Sequence, residues 1–140
     1  MTAATSLPIE LVEAYRETSY EVDWPNGTYN PLRVGACADR LMASSGVGWA
    51  FITAWNPMGQ SCSEEQNKSR HQALIDKIQG SGRKWLSGRG RGASGDWPAE
   101  ESVLVYNIGE EEASDLGRYF AQNAVLWIGP DLVVRLKLLV

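Results

Sequence analysis

The segment Gly48-Trp49-Ala50-Phe51-Ile52-Thr53-Ala54-Trp55 is apolar and aromatic for its whole length, with no charged residue in it. A strand wetted on one face alternates apolar and polar residues, whereas one covered on both faces reads as a continuous apolar run. At eight residues the run is far too short to cross a bilayer. It predicts a central strand, the hub of a sheet with cover on both sides, and most other assignments follow from that. The rest of the chain supplies the cover. With 140 residues there is material for one core, so residues 1–140 read as a single globular domain. A net charge of −4 with 44% hydrophobic residues excludes both a globally basic nucleic-acid binder and a disordered acidic chain.

Around this hub, Pro8 and Glu10 beside Ile9, Val12 and Tyr15, with Ser6 as a cap, predict a first helix ending near Thr18. Ser19 to Trp24 alternates, Pro25-Asn26-Gly27 turns, and Leu32-Arg33-Val34 follows, which predicts a hairpin or two edge strands. Ala36 to Ser45 reads as a short helix stopped by Gly46. Ser63-Glu64-Glu65-Gln66 is a capping box opening a long helix with Leu74, Ile75 and Ile78 inward, ended by Gly80. A short strand from Arg83 to Leu86 precedes a glycine-rich surface loop from Ser87 to Gly95. Ser102 to Ile108 is a second apolar strand, and Glu110-Glu111-Glu112 suits the positive end of a helix running to Phe120. Ala124 to Ile128 and Leu132 to Leu139, joined by Gly129-Pro130-Asp131, predict a terminal hairpin. The expected fold class is α+β, with α/β as the alternative: a mixed sheet of about five to seven strands covered by three or four helices.

Three polar constellations interrupt this apolar pattern. The first is the strand exit with Thr53, Trp55 and Asn56, followed by the helix start with Ser63, Asn67 and Arg70. A strand that feeds a helix through a loop is where α/β proteins place anionic ligands, and Asn67 and Arg70 at i, i+3 share a helix face. The plain alternative is a turn, a cap and a solvated helix face. The second is Trp97-Pro98-Ala99-Glu100-Glu101-Ser102, whose paired carboxylates could provide a general base, although strand neighbours point to opposite faces. The third is Phe120-Ala121-Gln122-Asn123-Ala124, where Asn123 reads as a helix C-cap and Gln122 needs partners in an apolar context.

Arg83 to Gly92 carries four positive charges and an aromatic, a composition that binds phosphate backbones in other settings. The seven carboxylates between Asp96 and Asp115 argue against nucleic acid as its partner. Two cysteines, Cys37 and Cys62, outside any CxxC pair, predict reduced thiols in the cytoplasm. A single histidine, His71, offers neither a zinc site nor a Ser/His/Asp triad, so no metal or other cofactor is expected.

Taken together, the strings Thr53-Ala54-Trp55-Asn56-Pro57, Ser63 with Asn67 and Arg70, Trp97-Pro98-Ala99-Glu100-Glu101-Ser102 and Phe120-Ala121-Gln122-Asn123-Ala124 resemble a family of small bacterial proteins known only as a domain of unknown function. Ala14-Tyr15-Arg16 and Leu32-Arg33-Val34-Gly35 extend the likeness over nearly the whole chain. The resemblance implies a single-domain cytoplasmic protein and brings no activity, cofactor or catalytic residue. Its pattern features the polar residues above but not Cys62, His71 or Arg89-Gly90-Arg91-Gly92, which implies one shared polar pocket.

The functional expectation is therefore a pocket for a small anionic ligand, a nucleotide or metabolite, bound by Thr53, Asn56, Ser63, Asn67, Arg70, Gln122 and Asn123 and walled by Trp55 or Trp97. Were the protein an enzyme, Glu101 or Glu100 would act as the base of a hydrolase or transferase. The alternative is an interaction module presenting exposed tryptophans and the basic segment 83–92 to a protein or a nucleic acid. No membrane partner is expected.

Overall fold

A computed structural model describes residues 7–41, 47–95 and 98–140. The fold is α+β: α1 (Ile9–Glu17), β1 (Ser19–Val22), β2 (Trp49–Thr53), α2 (Glu64–Gly80), β3 (Trp85–Arg91), β4 (Glu100–Tyr106), α3 (Glu110–Tyr119), β5 (Ala124–Ile128) and β6 (Val134–Leu138). The strands form one sheet in the order β1-β3-β4-β2-β5-β6 with every pairing antiparallel, and β5 and β6 are the terminal hairpin. Among the described residues no helix is long and apolar enough to cross a membrane.

β2 sits between β4 and β5, as its apolar run requires. Strand alternation sends Ala50 and Ile52 to one face, where they pack with Leu74, Ile78, Val103, Val105 and Ala113 beneath α2 and α3. Trp49 and Phe51 face the other way, into a second cluster with Val22, Trp24, Leu41, Leu104, Leu126 and Val134. Burial on both faces thus has two different causes. The helices α2 and α3 cover one side, while the sheet's own curl, α1 and the segment 24–41 cover the other.

The curl follows from chain geometry. Leu32 exchanges backbone hydrogen bonds with Tyr20 on the free edge of β1, and Gly35 and Ala36 bond Val134 on the free edge of β6. In a flat six-stranded sheet those two outer positions would stand about 34 Å apart at ~4.8 Å per strand. The four steps from Leu32 to Ala36 reach at most about 14 Å. The edges must therefore bend toward each other, which makes one face concave. Leu32-Arg33-Val34, expected as a strand, contributes only this bridge. Of residues 36–45, expected as a helix, 36–38 are not helical and Asp39–Leu41 form a 3-10 turn. Residues 42–45 of that helix, its Gly46 stop and the Ser6 cap lie outside the described residues.

The largest departure is the segment from Ser87 onward, expected as a mobile basic loop and found as β3, paired on both sides. Its glycines and arginines alternate. Arg89 and Arg91 lie on one face against Glu21 and Asp23, so their charge is met within the sheet. Gly88 lies on the other face, where a Cβ would stand 2.1 Å from the Glu21 carbonyl oxygen. Only glycine lets β1 approach so closely, so a residue that usually marks a loop is here a condition of strand pairing. The tryptophans also redistribute. Trp24, expected at an edge, is buried with Trp49, and Trp55, Trp85 and Trp127 are half-buried.

Candidate functional site

The polar motifs meet at one end of β2. Thr53 closes the strand by donating its hydroxyl to the Glu101 carbonyl (2.7 Å) and accepting the Trp55 amide (3.1 Å). Asn56 then turns the chain with φ 45°, a left-handed conformation that asparagine tolerates better than most residues. Its buried amide is held reciprocally by Asn67. The Asn56 backbone N–H donates to Asn67 Oδ1 (2.9 Å), and Asn67 Nδ2 donates to Asn56 Oδ1 (2.9 Å). Cys62 N adds a second donor to that oxygen (3.0 Å), and Asn56 Nδ2 donates to Glu100 Oε2 (2.9 Å). One side chain thus ties the strand exit to α2, to the loop before it, and to β4.

Arg70, one turn beyond Asn67, donates Nε to the Ala54 carbonyl (2.7 Å) and Nη2 to the Phe120 carbonyl. Gln122 donates to the carbonyls of Trp55 (3.1 Å) and Phe120 (3.2 Å). Ser63 and Gln66 form the capping box of α2 and stay at the surface. The constellations therefore converge, but Ser63, Asn67 and Arg70 serve the backbone. The reason is local: the ends of β2 and α3 leave carbonyls without ladder partners, and buried carbonyls require donors.

On the concave side of this knot lies a cavity of about 480 Å³. Its floor is sheet, with Phe51, Ser102, Gly90, Leu126 and Leu136, and its roof is Leu11, Ala14, Tyr15 and Thr18 of α1 and the turn after it. Of the expected site residues, Thr53, Trp55, Asn56, Glu100, Gln122 and Asn123 line it, whereas Ser63, Asn67, Arg70 and Glu101 do not. Trp97 lies outside the described residues. Alternation along β4 separates the two carboxylates: Glu100 shares the concave side with Ser102, and Glu101 is turned toward the helices, where its charge acts on His71. Burial outweighs that charge and holds the His71 imidazole below its ordinary pKa.

Sequence reasoning missed the roof. The spacing of Ile9, Val12 and Tyr15 predicts a core-facing side for α1, yet no residue of α1 is buried, because the helix spans a void that Leu11, Ala14 and Tyr15 line. The absence of close packing partners cannot be seen in a stripe. Burial, opposed by a hydrogen bond with Asn123 and reinforced by the Glu100 charge, raises the Tyr15 phenol, and burial raises Tyr20 further. Both stay neutral donors across the physiological range. The Tyr20 hydroxyl donates to the Tyr15 carbonyl (2.6 Å) and so ties the roof to β1. Glu17 and Glu100 are the charged residues of the lining, and no Lys, Arg or His is among the described residues that line it. The Trp55 indole N–H is buried with no acceptor among the described residues.

In chemical terms the cavity is an apolar chamber with a polar end made of amides and one carboxylate. Among the described residues no group of three or more His, Cys, Asp or Glu side chains comes together in a way that would hold a metal ion. No curated protein and no solved structure matches the chain. The family model described as "Protein of unknown function (DUF3293)" matches residues 52–125, from β2 through α3 to the start of β5 and so including the whole Asn56–Asn67–Glu100 knot, and the chain belongs to that family.

Proposed function

We propose that the protein binds a small amphipathic molecule in the cavity beneath α1, with an apolar body on the sheet and a polar head at the Asn56–Glu100–Gln122 end. The observation that carries this reading is the chamber itself. Its volume of about 480 Å³ falls within the range of small-molecule sites, and such sites pair a mainly apolar lining with a few placed polar groups. Asn56, Gln122 and Asn123, all buried, make that end of the chamber polar. An anionic head, expected while Arg70 was read as a ligand contact, finds no cation in the lining, since that guanidinium is engaged by two carbonyls. The head is therefore neutral or positive. Binding rather than catalysis is the reading, and the two free thiols suit a reducing cytoplasmic location, which forms part of it.

The interaction-module alternative finds little support. The described tryptophans are buried or half-buried, and Arg89 and Arg91 are ion-paired within the sheet.

Octanol followed by thermal unfolding tests the proposal. At a hundred times its Kd a ligand adds about 2.7 kcal/mol of stability, a rise of about 8 °C for a chain of this size. Ala14→Trp, at an exposed roof position, should abolish the shift by filling the chamber. An unchanged melting point in the parent protein both with octanol and with the same octyl chain carrying a charged head, or an equal shift in Ala14→Trp, would overturn the proposal.

A further inference from the structure

We infer that the head group of the ligand is an organic ammonium ion; this rests on the reading of the cavity as a binding site and names the class of molecule it takes. Four aromatic side chains line the chamber, Tyr15, Tyr20, Phe51 and Trp55, and they come from four different segments of the chain. Tyr20 and Phe51 meet edge to face with ring centroids 5.4 Å apart, which gives that wall a set geometry. Aromatic faces carry negative quadrupole density and attract cations, most strongly where water is excluded, and quaternary ammonium groups are recognised in this way. Glu100 brings a carboxylate to the polar end, where one of its oxygens accepts from Asn56 Nδ2, and Glu17 brings a second carboxylate to the roof. No basic side chain of the described lining opposes them.

This arrangement discriminates by charge sign. A carboxylate or phosphate head would face Glu100 inside a largely apolar chamber, where like charges are poorly screened. An alcohol would gain a hydrogen bond to an amide or to the carboxylate, but neither an ion pair nor any attraction to the ring faces. An alkylammonium gains from both, while its chain covers Leu126 and Leu136 on the floor.

The experiment uses one apolar body with different heads: octyltrimethylammonium, octylamine, octanol and octanoate, each titrated below its micelle-forming concentration and followed by tryptophan fluorescence and calorimetry. Both cations are expected to bind at least tenfold more tightly than octanol, and octanoate more weakly than octanol. Glu100→Gln should bring the cations to within about threefold of octanol while leaving octanol affinity unchanged. Tyr15→Leu, on a helix with no buried residue, should weaken octyltrimethylammonium about threefold and spare octanol. It serves as the second variant if Glu100→Gln fails to fold. Equal binding of octanol and the cations, tighter binding of octanoate, or a full cation preference in both variants would refute the ammonium assignment and leave the cavity reading standing. If no member of the series binds, octanol included, the cavity reading itself is refuted.

Discussion

Replacing Asn67 by alanine separates a ligand contact from a structural tie, because its amide makes both of its hydrogen bonds to Asn56. Two neutral hydrogen bonds are lost, at about 1 kcal/mol each. The Asn56 backbone N–H also loses its acceptor in a buried setting, which adds about 1 kcal/mol, whereas Asn56 Oδ1 keeps the Cys62 amide. Alanine returns about 0.6 kcal/mol of helix propensity at a position inside α2. The net loss is about 2.4 kcal/mol, which corresponds to about 7 °C in melting temperature. Urea unfolding monitored by tryptophan fluorescence and circular dichroism would measure it, with an unchanged m-value. A double-mutant cycle with Asn56→Ala should show strong non-additivity, since each single change already breaks the pair. A loss below about 0.5 kcal/mol, or additive effects, would refute the view of the knot as a cooperative structural unit.

Gly88→Ala should cost about 3 kcal/mol, because the new Cβ would meet backbone, the Glu21 carbonyl at 2.1 Å, rather than a side chain that can move aside. Hydrogen exchange at Tyr20 and Glu21 should accelerate while β2 and β4 stay protected, and equal protection of β1 would contradict the close-approach argument. Asp23 is held below the usual carboxylate range by hydrogen bonding from Arg89, with burial opposing and the Ser87 hydroxyl assisting. Its folded pKa is thus below the unfolded value of about 3.9, so its contribution is complete above that pH and is lost as pH falls through the folded value. The gap between the urea midpoints of parent and Arg89→Ala should therefore narrow as the pH falls below about 4, and a constant gap would assign the stabilisation to packing of the Arg89 stem instead.

What could be read from the chain was whatever depends on neighbours in sequence. The continuous run of β2, the Ser63–Gln66 box, the acidic start of α3 and the Gly129-Pro130-Asp131 connection are local signals with local causes, and each element lies where its residues indicate. The polar strings were also visible as places where hydrogen-bonding groups interrupt apolar pattern, and six of the expected site residues within them line one cavity.

The roles within that group were decided only by the fold. Arg70 and a ligand-binding arginine look identical in sequence. Which of them it is depends on whether the carbonyls of Ala54 and Phe120, 16 and 50 residues away, arrive at its guanidinium. Glu100 and Glu101 differ by one residue, and register against β2 and β3 sets which of them meets the chamber. Gly88 and Gly90 read as a loop because glycine lacks strand propensity, but at Gly88 the pairing of β1 makes the missing Cβ a requirement. The chamber itself is a property of tertiary structure alone. It exists because residues 32–36 draw the two sheet edges together while α1 lies across the concave face without packing into it, and a space left unfilled has no residue to announce it.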